Sequence, residues 1–404
     1  MTELPETGGS ARGRDWIDRA SAAVSEVIGL LPPDPDDAVL ADAERTIAMT
    51  FAQGYWMLFH GLAEYPEWLP FIGFLYPSGA INPDTTYDVC RIDPAGTYRI
   101  SGDRGTVHLL DFQLSEGLPG LREHSGARTG GFNTDDLTFD DMGQFDVVLS
   151  RERPAAHTGD WQRLPEGTGS ILMRQVRYDW ATERGARVAI ERLDLPPRQI
   201  APDLATVRAR IDAIPDYVRR YQRQFMGYKR QVRDLGPPNV LHHRVRKEKG
   251  GAGEGGGMAS QVIYHGNFSL ATDECLLIET DLPRTCAYWN IQITDELHCA
   301  IDAMRCQSSL NGFQATLDDD GRFRAVICAV DPGVPNWLDT AGRPRGGIMG
   351  RWTYADSAPI PSTEVVKIAA LRDRLPAATP AVSPEERDQA LRARLRAAQW
   401  RGRH

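Results

Sequence analysis

No cysteine pair in this chain has CxxC spacing. The six cysteines (Cys90, Cys275, Cys286, Cys299, Cys306, Cys328) fall mostly in apolar, strand-like segments. That usage fits free, buried thiols in a reducing cytoplasm better than a disulfide framework. No apolar run approaches the roughly 20 residues a membrane helix needs. The opening residues, MTELPETGGSARGRD, lack the apolar core of a signal peptide. Positive charge is not in excess either: 46 Lys and Arg stand against 55 Asp and Glu, a net charge of −9, which argues against a nucleic-acid partner. The strong catalytic signatures are missing as well: no GxSxG elbow, no HExxH, no Walker loop, no GxGxxG following a strand. His242-His243 and His298-Cys299 do not have the spacing that closes a tetrahedral site. The expectation is a protein without metal or cofactor.

What is present is an ordinary globular composition, 41% hydrophobic and 25% charged over 404 residues, enough for more than one domain. Residues 1–14 read as a disordered arm and 15–75 as helices. Val39, Ala43, Ile47, Phe51, Tyr55, Leu58 and Leu62 recur at helical steps behind an Asp36 or Asp37 cap. The apolar run YWMLFH should bury that helix end on all sides. After Pro77-Ser78-Gly79 the period changes. Segments 86–92, 97–100, 106–114, 145–149 and 170–178 are β-branched or aromatic and separated by turns, so 76–200 is a first β module. The acidic loop Asn133 to Asp141 does not match a calcium-binding loop and reads as solvated.

Residues 201–258 comprise a basic helical insert and, at their end, the Gly-rich run Arg246 to Gly257, which reads as a mobile linker. The second β module covers 259–376, and 377–404 is a linker leading to a C-terminal helix with a Ser383–Glu386 capping box. That helix should dock on the body or on a neighbouring subunit. Strands without intervening helices point to two jelly-roll-like or β-sandwich modules, mainly β with helical additions. In TCAYWNIQIT, alternation puts Trp289 and Ile291 on the buried face and turns Asn290 and Gln292 to a cavity or to solvent.

Two stretches are richer in hydrogen-bonding groups than a core needs. One is INPDTTYDVCRIDP (Ile81 to Pro94). The other is DPGVPNWLDTAGRPRGGIMGRW (Asp331 to Trp352), a long connection with two Trp and three Pro. With Trp289-Asn290-Ile291-Gln292 and Ser309-Leu310-Asn311, these motifs resemble the bacterial family catalogued as domain of unknown function 1214, often partnered by domain 1254. The resemblance covers most of residues 45–370 and implies a β-rich, jelly-roll-like architecture. It carries no defined activity.

The residues themselves suggest acid–base chemistry on a small oxygenated molecule: elimination, isomerisation or hydrolysis of a terpenoid, steroid or acyl compound. Asp339 is the first choice as acid or base, since Trp337 and Trp352 would desolvate it, with Asp84 and Tyr87 next. Asn82, Asn290, Gln292, Asn311, Asn336, Trp337, Arg351 and Trp352 would bind the substrate. The two motifs are expected to meet in one pocket. The alternative is a non-catalytic module binding a carbohydrate or another small molecule.

Overall fold

A computed structural model describes residues 9–124, 126–243, 258 and 260–401. The start of the arm expected over 1–14 and the Gly-rich run Lys247 to Gly257 lie outside the described residues. From Gly9 onward the arm is already helix. Among the described residues no helix is long and apolar enough to cross a membrane.

Two helices open the chain, α1 (Gly9–Ile28) and α2 (Asp37–Phe59). The Asp36 carboxylate caps α2 by accepting the Val39 amide at 3.0 Å. The buried seam of α2 runs through Val39, Ala43, Ile47, Gly54 and Met57. Its second half is not buried all round: Tyr55 is 52% exposed. The reason is a partner on one side only. At Gly54 an added Cβ would lie 3.2 Å from the ring of Tyr217, so the close approach of that ring fixes which face is covered.

The first β module contains β1 (Leu69–Pro70), β2 (Thr85–Arg91), β3 (Tyr98–Asp103), β4 (Leu109–Ser115), β5 (Arg128–Asn133), β6 (Gln144–Ser150), β7 (Asp160–Arg163), β8 (Ser170–Val176) and β9 (Arg187–Arg192). A five-stranded sheet, β1-β2-β8-β4-β5, covers a four-stranded one, β7-β6-β3-β9. Phe112, Ile171 and Met173 from the first pack on Ile100, Val147 and Leu149 from the second. Two helices follow, α3 (Leu204–Asp212) and α4 (Ile214–Arg233), with Pro215 in the first turn of α4. Tyr217, Val218, Tyr221 and Met226 of α4 are buried, while Arg220 and Arg223 pair with Glu123 and Glu26. Part of the basic face, Arg219, Arg220 and Arg223, is thus answered within the chain.

The second module contains β10 (Leu241–His243), β11 (Gln261–Ser269), β12 (Glu274–Thr280), β13 (Cys286–Thr294), β14 (Ser309–Asn311), β15 (Phe323–Cys328), β16 (Trp337–Asp339), β17 (Arg345–Ala355) and β18 (Ser362–Lys367). Its sheets run β10-β11-β17-β13-β14 and β16-β15-β12-β18. Adding nine to every strand number of the first module yields the second, down to the parallel pairs β6/β7 and β15/β16. One sandwich topology therefore occurs twice. No internal repeat is legible in the sequence, because the two copies fill the same pleats with different side chains.

The closing helix, α5 (Pro384–Trp400), has the expected capping box and packs on its own chain. Ala397 and Ala398 are buried. The Arg387 Nε donates to Asp331 at 2.9 Å, and its guanidinium lies over Trp337. Further along, Arg394 and Arg401 each place a guanidinium 4.4 Å from the ring of Trp180. All six cysteines are free.

Just beyond β13, Asp295 is buried, and its Oδ1 accepts the amides of Leu297 (2.9 Å) and Cys299 (2.8 Å). Burial, then the charge of Asp42, push its pKa up to about 6, against the two amides and Arg343. The folded state holds this proton more tightly than the unfolded chain. The resulting stabilisation is complete below the ordinary carboxyl range and is lost as pH rises through about 6. At ~1.4 kcal/mol per pKa unit, about 3 kcal/mol is lost. Asp295→Asn keeps the acceptor and removes the charge. In urea titrations it should match the parent near pH 4 and exceed it near pH 7.5. A variant no more stable than the parent at the higher pH would show that the carboxyl is not held in this way.

Candidate functional site

The turn Ile81 to Thr85 carries the polar side chains that join the two modules. Asn82 Oδ1 accepts the Asp84 amide at 3.0 Å, which closes the turn, and also the Asn290 Nδ2 at 2.9 Å. Asn82 Nδ2 donates to the Tyr288 hydroxyl at 2.7 Å. Asp84 is fully enclosed. Its Oδ1 accepts from Trp180 Nε1 (2.8 Å) and Asn311 Nδ2 (2.9 Å), and its Oδ2 accepts from the Tyr288 hydroxyl. Burial raises the Asp84 pKa, and the bonds from Tyr288, the charge of Arg401 and the bonds from Trp180 and Asn311 oppose that rise.

Arg351, on β17, extends the same network. Its Nη1 donates to Gln292 Oε1 at 2.7 Å and to Asn290 Oδ1 at 3.3 Å, and its Nη2 donates to the Ala80 carbonyl at 2.9 Å. Gln292 in turn donates to the Ile81 carbonyl at 2.6 Å. Six residues singled out in the sequence, Asn82, Asp84, Asn290, Gln292, Asn311 and Arg351, are thus gathered into one seam. The alternation on β13 holds, with Trp289 and Ile291 facing the core. The opening of the opposite face to a cavity or to solvent does not, as neither Asn290 nor Gln292 lines the cavity between the modules. Asn290 is 1% exposed and Gln292 0%, because the first module covers that face.

Beside the seam lies a cavity of about 190 Å³. Its walls are the outer faces of the two five-stranded sheets, closed by α4 and by the loops around Phe71 and Leu118. Tyr87, Arg174 and Gln113 come from the first module, and Ile263, Met349 and Arg351 from the second. The registers make these positions equivalent. On one side Arg174 lies between Tyr87 and Asp111, and on the other Arg351 lies between Ile263 and Asn290. Two residues further along, Gln113 corresponds to Gln292. Arg174 donates from Nη1 to Asp111 Oδ2 at 3.0 Å and from Nη2 to Gln113 Oε1 at 2.9 Å. The cavity is therefore flanked by two arginine–glutamine pairs, one in each copy of the topology.

The Asn336–Asp339 part of the second motif does not reach this place, although Met349 and Arg351 of the same motif do. Asn336 acts as a surrogate strand: its Oδ1 accepts the Thr316 amide and its Nδ2 donates to the Thr316 and Arg324 carbonyls. Trp337 sits in the cluster beneath the 3-10 turn after β18 and donates to the Cys328 carbonyl. Asp339 accepts the Ala341 amide at 2.7 Å. Its pKa is raised by burial, but Trp352 is not the cause: that ring is in the interior of the second sandwich, bonded to the Pro359 carbonyl. Trp337 and Trp352 belong to separate clusters on opposite faces of the β16-β15-β12-β18 sheet. The expected shared pocket is not formed, since β17 carries Arg351 to the outer face and Trp352 to the inner one.

Sequence reasoning passed over Arg174, Asp111, Gln113, Trp180 and Tyr288. A signal existed for the first three. LLDFQL and ILMRQV each carry one opposite charge and one amide among apolar neighbours, as two paired strands would need to bury a polar group together.

No family model matches the chain, and no curated protein matches it. Among solved structures it is similar to an uncharacterized protein from Burkholderia cenocepacia, with 27% identity over 89% of this chain and 97% of that one and a TM-score of 0.80. A protein from Vibrio parahaemolyticus overlaps it far less, with 12% identity, coverage of 87% and 100%, and a TM-score of 0.45. So does a salicylate 1,2-dioxygenase from Pseudaminobacter salicylatoxidans, with 8% identity, coverage of 80% and 86%, and a TM-score of 0.17. The Burkholderia structure shares the mainly β architecture along nearly the whole chain, and the other two bear no argument.

Proposed function

We propose that the protein binds a small organic molecule with an oxygenated end in the cavity between its two modules. The observation carrying this reading is the cavity's lining: apolar walls from Phe71, Leu118, Phe225 and Met349, and polar groups from Arg174, Arg351, Gln113 and Tyr87. Pockets for small ligands combine an apolar wall with a few placed polar groups in this manner. Volume narrows the class. An apolar cavity of roughly 150 Å³ accommodates benzene, so about 190 Å³ suits a single ring or a short acyl chain better than a steroid or a sugar chain.

Binding is favoured over acid–base catalysis. Among the described residues lining the cavity there is no Asp or Glu. Asp84 has its oxygens engaged in the seam, and Asp339 lies on the far sheet. An enzymatic reading keeps Tyr87, whose hydroxyl accepts the Asn82 amide at 3.1 Å and whose ring lines the cavity. Tyr87→Phe separates the two readings once a ligand is found: an enzyme should lose turnover by far more than it loses affinity, whereas a binding module shows no turnover in either protein.

Thermal-shift screening over short acyl compounds, single-ring aromatics, terpenoid alcohols and sugars tests the proposal. Ligands that raise the melting temperature of the parent should fail to do so in Met349→Trp, where the indole fills the cavity. Equal stabilisation of both proteins would place the ligand elsewhere.

A further inference from the structure

The two arginines at the cavity occupy equivalent positions but differ in charge balance. The neighbour of Arg174 on β4 is Asp111, and the pair forms a salt bridge at 3.0 Å with both side chains buried. The neighbour of Arg351 on β13 is Asn290, so the carboxylate is replaced by an amide. Every acceptor of Arg351 is neutral: two side-chain amides and the Ala80 carbonyl. Among the described residues it makes no ion pair, although it is only 6% exposed.

A guanidinium has five N–H donors, and three are used here. The remaining two are on Nε and Nη2, which are adjacent on the guanidinium. Adjacent donors of this kind match the two oxygens of a carboxylate. A buried cation without a countercharge is costly, and an anion from outside removes the cost. The rest of the lining offers that anion no repulsion, since no Asp or Glu is among the described residues at the wall.

We infer that the ligand is an organic monocarboxylate whose carboxylate rests on Arg351 while its short apolar body lies against Met349, Ile263 and Phe225. This rests on the reading of the cavity as a ligand site. Arg174, already neutralised by Asp111, is the structural member of the pair and takes no charge from the ligand. The replacement of aspartate by asparagine at the equivalent position is what makes one module the receptor for charge.

The test is titration calorimetry on the whole protein with hexanoate and phenylacetate, each against its primary amide. The acids should bind the parent at least about tenfold more tightly than the amides, as a charge-assisted pair on a largely buried guanidinium requires. Arg351→Met should bring acid and amide to within about twofold by weakening the acid alone. Asn290→Asp supplies the missing countercharge while keeping Arg351 in place, and should abolish the preference in the same way. This second variant keeps the test decisive if the first does not fold. Equal binding of acid and amide by the parent leaves the cavity as the ligand site and overturns the monocarboxylate. So does an acid preference that survives in Asn290→Asp. Binding of neither acid and neither amide overturns the cavity reading itself.

Discussion

Asp84→Ala should lower the unfolding free energy by about 3–5 kcal/mol, the range for removing one partner of a buried charged network. The side chain accepts from Trp180, Tyr288 and Asn311, which belong to three separate stretches of chain. Alanine leaves the Trp180 Nε1 and the Tyr288 hydroxyl buried without an acceptor, and Asn311 Nδ2 with the Tyr178 carbonyl alone; each stranded donor costs about 1–3 kcal/mol. It also leaves the positive charge of Arg401 without the carboxylate it faces. These losses are coupled, so they do not sum. Because the network joins the modules, the variant should also free α5 to proteolysis at a denaturant concentration where the parent resists. A loss below about 1 kcal/mol in unfolding free energy would mean that the seam is held by its apolar surroundings.

Arg174→Met should cost about 3 kcal/mol, because it strands the Asp111 charge inside the first module. Adding Asp111→Asn should return most of that loss, since the remaining amide needs only neutral partners. The double variant reproduces the aspartate-to-asparagine difference already present between the modules, without the second arginine. A full cycle of single and double variants gives the coupling energy directly. If Arg174→Met and the double variant are equally destabilised, the ion pair is not what costs. The loss would then belong to the contacts of the guanidinium with Gln113.

Much of this architecture was legible from the chain. The helix cap at Asp36, the capping box at Ser383 and the strand segments all follow from local chemistry, because each depends on residues a few positions apart. The direction of alternation on β13 was readable for the same reason. What covers the polar face of that strand was not. Asn290 and Gln292 are partnered by Asn82, Ile81 and Arg351, and only the packing of the two modules brings them together.

The second motif misled for a related cause. A stretch rich in Asn, Asp and Trp looks the same whether its groups face a ligand or satisfy backbone, and Asn336 spends both its donors and an acceptor on the backbone of Thr316 and Arg324. The duplication of the sandwich was invisible as well. Equivalent positions such as Tyr87 and Ile263, or Asp111 and Asn290, share a place in the pleat and little chemistry.

The order in which a ribosome delivers this chain gives the clamp on Trp180 a further meaning. Asp84 leaves the ribosome long before Arg401, the last of the groups that enclose it: 401 − 84 is 317 positions. At about 5–20 residues per second, that interval is roughly 15–60 s. Within it the Asp84 carboxylate gains Trp180, then Tyr288 and Asn311, while the Trp180 indole waits longest, for Arg394 and Arg401. The first module therefore stays open along the future seam until β13, β14 and β17 have followed it, and Trp180 stays open until α5 has.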